Sequence, residues 1–155
     1  MAEPTNNAPD GQLWHGDVLD VLAQLPAESV HCAVTSPPYW GLRRYANDQG
    51  IEPYGLEPTI EQYIQKTLTV LRALRKVLRN DGICWVNLGD SYAGSGSPGG
   101  DYRQGDRGDD YLRPYNRQGN GLKPLDMGLI PERVALAAQA DGWWVRSVVE
   151  RSGLE

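Results

Sequence analysis

Two cysteines, two histidines and a shortage of positive charge mark this 155-residue chain before any motif does. Cys32 and Cys84 both fall in apolar runs expected to be buried strands, where a thiol packs as a small hydrophobe rather than serving redox or metal chemistry. His15 and His31 stand at no metal-ligand spacing with them. No run is long or apolar enough for a membrane span or the core of a signal peptide, and the chain reads as soluble and cytoplasmic. Its 15 Lys and Arg against 20 Asp and Glu leave a net charge of −5, so it lacks the overall basic signature of a nucleic-acid binder. Any contact with DNA rests on local cations such as Arg43 and Arg44. The length favours one domain, able to bury about two-thirds of its surface.

The chain does contain an unusual junction. The apolar run Val30-His31-Cys32-Ala33-Val34 leads directly into Thr35-Ser36-Pro37-Pro38-Tyr39-Trp40. The run shows no polar–apolar alternation, so it is expected to be a central strand covered on both faces. Proline then stops the ladder, having no N–H to donate. In open α/β sheets ligands bind at the carboxyl ends of strands, which places the hexapeptide at a candidate site. A rigid surface turn is the structural alternative. An exocyclic amino group of a nucleobase is a poor nucleophile, and activating it requires two acceptors for its hydrogens. Ser36 Oγ and the Pro37 carbonyl can serve as that pair. Tyr39 can supply the aromatic face that a base needs once it has left its stack.

With its flanks, this turn resembles the DNA amino-methyltransferases that modify cytosine or adenine, in the permuted group whose catalytic motif lies near the N-terminus. The matching stretches are Leu13-Trp14-His15-Gly16-Asp17-Val18-Leu19, Leu25-Pro26, Ser29-Val30, Thr35–Trp40, Asn87-Leu88-Gly89-Asp90-Ser91-Tyr92, Lys123-Pro124-Leu125-Asp126, Ile130-Pro131 and Ala140-Asp141-Gly142-Trp143. The resemblance implies an α/β fold, a partial doubly wound parallel sheet of the Rossmann-like, S-adenosylmethionine-dependent type. It implies Ser36, Pro37, Pro38 and Tyr39 as the catalytic turn. It further implies Asp17 and Thr35 on the S-adenosyl-L-methionine side, and Trp40, Arg43 and Arg44 on the side of double-stranded DNA. Ser36, where other members have Asp, leans toward cytosine N4 over adenine N6.

The chain also departs from that family. After a strand such as Trp143–Val149 the family continues into a Trp-x-Lys-Pro-Asn segment and, later, a Phe-x-Gly-x-Gly loop that holds the methionine end of the cofactor. Here the sequence runs into Glu150-Arg151-Ser152-Gly153-Leu154-Glu155. It looks like the catalytic-motif half of a methyltransferase, whether truncated, engineered or split. A fragment or subunit inactive until a complementary half or second copy joins it is therefore the alternative function. A methyltransferase acting on RNA or on protein side-chain amides shares the same turn chemistry.

The remaining elements follow from local pattern. Residues 1–11 are polar and proline-bearing, expected to be a disordered tail; residues 12–150 form the partial catalytic domain and 151–155 a tail. Leu13–His15 is a short strand. Val18–Leu25 is a helix that Asp17 can alternatively cap. Ile60–Arg79 is the clearest helix, with Ile60, Tyr63, Ile64, Thr67, Leu71, Leu74 and Leu78 on one face and Thr59 and Gln62 as a capping box. Arg72, Arg75, Lys76 and Arg79 read as its solvated side. Asn80-Asp81-Gly82 is a turn, Ile83–Leu88 a strand and Pro131–Ala140 a helix. The loop carrying Arg43, Arg44, Tyr45 and Tyr54 can contact substrate or solvent. Gly94-Ser95-Gly96-Ser97-Pro98-Gly99 matches a dinucleotide fingerprint but no helical pattern follows it. Residues of about 93–121 read instead as a flexible glycine-rich insert.

Overall fold

The computed structural model describes residues 4–8, 11–41, 54–93 and 121–150. Along the chain these form β1 (Pro4–Ala8), β2 (Gly11–Trp14), α1 (Val18–Leu22), β3 (Val30–Thr35), α2 (Ile60–Val77), β4 (Leu78–Val86) and α3 (Ile130–Ala140). Thr59 starts α2 with both arms of a capping box: its Oγ1 accepts from Gln62 N, and Gln62 Oε1 accepts from Thr59 N, each at 3.2 Å. The expected stripe is the buried one up to Leu74, with Leu68, Val70 and Val77 added to it; the helix ends at Val77 rather than Arg79, and Leu78 and the expected Asn80-Asp81-Gly82 turn belong to β4. Ile60, Tyr63, Ile64, Leu71 and Leu74 meet Leu22 of α1, Trp40, and Ile130, Val134 and Ala138 of α3 in one apolar core.

β3 and β4 pair in parallel, and α2 connects them. A small parallel sheet backed by helices is an α/β arrangement. The inner face of the pair, including Ala33, Cys84 and Val86, packs against the core. The outer face corrects the expectation of burial on both sides. There Cys32 pairs with Ile83 and Val34 with Trp85, and Val34, Ile83 and Trp85 remain 78%, 57% and 56% exposed. A strand apolar on both sides needs two covers, and among the described residues the helical core covers one. Cys32 is accordingly exposed rather than buried, while Cys84 is half-buried with its thiol pushed up, mainly by that burial.

Other differences have equally local causes. Pro4–Ala8, expected to be disordered, pairs antiparallel with β2, Pro4 opposite Trp14 and Ala8 opposite Gly11. Main-chain hydrogen bonds can hold such a ribbon without apolar side chains. β1 and β2 make their own sheet, separate from β3–β4. Trp143–Val149, expected to be a strand, carries no ladder. Trp144, Val148 and Val149 are exposed, and no described strand lies alongside to pair with the segment. Arg72 and Arg75 are exposed, as expected of the solvated side of α2, and they also hold the end of α3: Arg72 Nε donates to Asp141 Oδ1 and Arg75 Nη1 to the Asp141 carbonyl, both at 2.8 Å. The Arg72 guanidinium holds the Asp141 carboxyl below its ordinary range. No described helix is long and apolar enough to cross a membrane. Residues 94–120, which include most of the expected insert, and the tail 151–155 lie outside the described residues.

Candidate active site

The turn lies where the sequence places it, at the carboxyl end of β3. Asn87 N donates to the Thr35 carbonyl at 2.9 Å, carrying the ladder one step past β4. Ser36 is exposed, Pro37 buried, Pro38 and Tyr39 half-buried. The two prolines stop the strand, and a set of buried groups then fixes the path. Tyr63 Oη, from the fully buried Tyr63 of α2, donates to the Pro38 carbonyl at 3.0 Å. The Trp40 indole N–H donates to the Glu57 carbonyl at 2.9 Å. Gly41 N donates to the Gly55 carbonyl at 2.6 Å. Gly55 itself is needed here: its φ is +94°, and a Cβ on it would sit 3.1 Å from the Tyr39 carbonyl, so a side chain would be both strained and crowded.

Trp40 corrects the sequence assignment. At 3% exposure, with its indole N–H donating to Glu57, it anchors the turn to the core and offers no surface to DNA. Tyr54, a candidate for substrate contact, also belongs to the support. Its hydroxyl donates to Thr67 Oγ1 at 2.8 Å, Thr67 Oγ1 donates to the Tyr63 carbonyl at 2.9 Å, and the two tyrosine rings stand 5.7 Å apart. Burial pushes the Tyr54 phenol up to about 12 and the Tyr63 phenol further. Both therefore stay protonated, as donors must, throughout the neutral range. The buried Glu57 carboxylate accepts from Gly55 N at 3.0 Å and pairs with Lys66 at 3.2 Å. Sequence reasoning missed Tyr63, Thr67 and Glu57 as supports. A tyrosine and a threonine in an otherwise aliphatic stripe were the available signal.

These anchors use up the Pro38 carbonyl. Among the described residues no hydrogen bond engages Ser36 Oγ or the Pro37 carbonyl, so the two acceptors singled out from sequence are the ones left uncommitted. Tyr39 lies against Gly89, three residues beyond the end of β4: a Cβ there would come within 2.6 Å of Tyr39 Cδ2 and 2.7 Å of Cε2. One rim thus holds a hydroxyl, a main-chain carbonyl and a phenol ring on four consecutive residues.

Asp17 realises its structural alternative. It is exposed and caps α1, with Oδ1 accepting from Leu19 N at 2.8 Å. The other carboxylate oxygen takes part in no hydrogen bond among the described residues, and a carboxylate suits the hydroxyls of a ribose or the amino edge of an adenine. Thr35 is half-buried beside the turn. The structure does not bring the Asp17 turn into the β3–β4 sheet. Arg43, Arg44 and Tyr45 lie outside the described residues, as does the Gly94–Gly99 run. A recess lined by Glu28, Arg79, Asn80 and Asp81 sits at the opposite end of the parallel pair, bridged by an Arg79–Asp81 ion pair of 2.9 Å.

Comparison with known proteins gives the class. The profile of the N6/N4 DNA methylase family matches residues 30–152, and the chain belongs to that family. It is 45% identical over 139 residues to the Type II methyltransferase M.Cfr9I of Citrobacter freundii, covering 87% of this chain and 44% of that protein. Against M.XycI of Xanthomonas campestris pv. cyanopsidis the identity is 44%, with the same coverage. Against M.SfiI of Streptomyces fimbriatus it is 39% over 153 residues, 93% of this chain and 30% of that relative. The chain therefore spans less than half the length of these curated relatives. No solved structure matches it significantly.

Proposed function

We propose that this chain carries the catalytic half of a site-specific DNA methyltransferase that modifies the exocyclic amino group of cytosine (N4) or adenine (N6) in double-stranded DNA. The target base leaves the duplex at a cost of a few kcal/mol, and stacking on Tyr39 returns about 1–3 kcal/mol of it. Ser36 Oγ and the Pro37 carbonyl accept the two amino hydrogens, localising the nitrogen lone pair. Pro38 keeps both acceptors rigid. On methyl transfer the amino nitrogen held by these two acceptors would give up one of its protons to solvent. S-adenosyl-L-methionine supplies the electrophilic methyl group when bound. The free oxygen of Asp17, with the Thr35 hydroxyl, is the group on this chain suited to its adenosine part. Arg43 and Arg44 are the nearest cations in sequence for the phosphates. A Rossmann-like, doubly wound sheet is the frame into which β3 and β4 fit.

The observation that carries this reading is the uncommitted pair of acceptors, Ser36 Oγ and the Pro37 carbonyl, on the same turn as Tyr39. The test is transfer of a radiolabelled methyl group from S-adenosylmethionine to unmethylated bacterial DNA, with the product nucleosides separated by mass spectrometry. Label in N4-methylcytosine or N6-methyladenine, lost in Tyr39→Ala and Ser36→Ala, is expected. Label that persists in both variants refutes the assignment.

The exposed outer face of β3–β4 favours a second reading, in which the chain works only with a complementary methyltransferase half. On that reading isolated protein binds S-adenosylmethionine weakly in calorimetry. Activity then appears on adding a polypeptide that carries the Phe-x-Gly-x-Gly region of a relative.

A further inference from the structure

We infer that Gly89 and Asp90 form a positioning unit for Tyr39: Gly89 provides the floor on which the ring lies, and Asp90 fixes the height of that floor by clamping it to the start of α3. The inference rests on the reading of Tyr39 as the stacking residue.

Both halves of the unit are visible as geometry. A Cβ at position 89 would stand 2.6, 2.7 and 3.3 Å from Cδ2, Cε2 and Cγ of Tyr39. Aliphatic carbon against aromatic carbon needs about 3.5–4.0 Å, so any side chain at position 89 must move the ring. The ring cannot draw back freely, because the main chain on both sides of it is held. Tyr63 fixes the Pro38 carbonyl, Trp40 is locked in the core, and Gly41 is bonded to Gly55.

Asp90 explains why the floor stays put. The residue before α3, Leu129, has a left-handed φ of 52° and provides no side-chain cap of its own. The Asp90 carboxylate takes that role from forty residues upstream, with Oδ2 accepting from Leu129 N and Oδ1 from Ile130 N, both at 3.0 Å. Oδ1 also accepts from Ser91 N at 2.8 Å. A carboxylate at helix N–H groups is favoured by hydrogen bonding and by the helix dipole together. Further stitches hold the same strip: Gly128 N donates to the Ser91 carbonyl and Ala93 N to the Asp126 carbonyl, both at 2.7 Å. Gly128 lies so close that a Cβ on it would meet Asp90 Oδ1 at 3.1 Å. The floor under Tyr39 is therefore tied to Ile130, a fully buried core residue, and not to a free loop.

The test uses the full 155-residue chain with ¹³C-labelled tyrosine, the Tyr39 ring signals being assigned by their disappearance in Tyr39→Phe. In Gly89→Ala the Tyr39 signals should shift while those of Tyr54 and Tyr63 stay. Asp90→Asn, which leaves Gly89 intact but weakens the clamp, should shift and broaden the same Tyr39 signals. It also keeps the idea testable should Gly89→Ala fail to fold. A second readout is fluorescence quenching of a single-stranded oligonucleotide carrying one 2-aminopurine. The loss of one base–aromatic stack predicts quenching affinity about five-fold weaker or more in Gly89→Ala and in Tyr39→Ala. Tyr39 signals unmoved in both folded variants would overturn the positioning role. If quenching falls in Tyr39→Ala but not in Gly89→Ala, the positioning role is again overturned while stacking survives. If even the parent chain fails to quench while Tyr39 signals move in the variants, the positioning stands and the stacking reading falls.

Discussion

The hydroxyl of Tyr63 is the smallest group whose removal should loosen the Ser36–Tyr39 turn. In Tyr63→Phe the ring still fills its fully buried place in α2, so no cavity term arises. What is lost is the 3.0 Å bond to the Pro38 carbonyl. A typical hydrogen bond contributes about 0.5–1.5 kcal/mol net, and an acceptor left unpaired in a buried site costs about 1–3 kcal/mol. Pro38 is half-buried, so water can partly replace the donor, and a loss of about 1–2 kcal/mol is expected. Urea unfolding followed by tryptophan fluorescence reads it directly. With a slope of about 2 kcal/mol per molar, the midpoint should fall by roughly 0.5–1 M. The same variant also tests the titration. Burial favours the neutral phenol in the fold, while the unfolded chain ionises near the ordinary value of 10.0. Tyrosine-linked stability is thus complete below that value and is lost as pH rises through the raised values, about 12 for Tyr54 and higher for Tyr63. Parent protein should therefore lose stability above pH 10 more steeply than Tyr63→Phe. An unchanged midpoint, or parallel pH curves, would refute the placement of this hydroxyl.

Two further outcomes follow from burial. Trp40→Ala should cost about 3–5 kcal/mol, as for other buried aromatic truncations, and leave the chain largely unfolded by near-ultraviolet dichroism at 25 °C. A folded variant with only weakened DNA binding would restore Trp40 to the surface. Cys32 on the open outer face should react with a thiol reagent quickly and Cys84 slowly, and Cys32 should become protected when a complementary methyltransferase half is added. Equal rates for the two thiols would contradict the one-sided sheet.

Periodicity located α2, α3, β3 and the Ser36–Tyr39 rim in sequence, because each is set by residues within a few positions of one another, whereas β4 starts at Leu78, before the Asn80-Asp81-Gly82 segment that reads as a turn. The misses concern partners. An apolar run states that Val34 and Trp85 favour burial but not what will bury them. Trp143–Val149 has the composition of a strand and no described neighbour to pair with. Trp40 beside the Ser36–Tyr39 turn looks like a contact residue until its indole N–H is found on the Glu57 carbonyl. Tyr63 counts as one more apolar position in a helical stripe, and only the fold shows its hydroxyl reaching the turn twenty-five residues away. Asp90 caps a helix forty residues downstream, beyond any local capping signature.

The bent entry into β4 settles something that side-chain polarity leaves open. Sliding a strand by one residue normally turns its greasy side to water and is penalised at once. Here the slide would merely exchange Ile83 and Trp85 for Cys84 and Val86, four residues of similar character. The alignment is set instead by the elbow after α2, where Leu78 pairs with Val30 but Ile83 already pairs with Cys32. Gly82 fits into that elbow because a methyl group on it would stand 2.9 Å from the Arg79 carbonyl and 3.2 Å from that of His31. A single missing methyl group, at the far end of the strand from the chemistry, thereby helps choose which surface of the sheet faces the helices and how far along β3 Gly89 comes to rest.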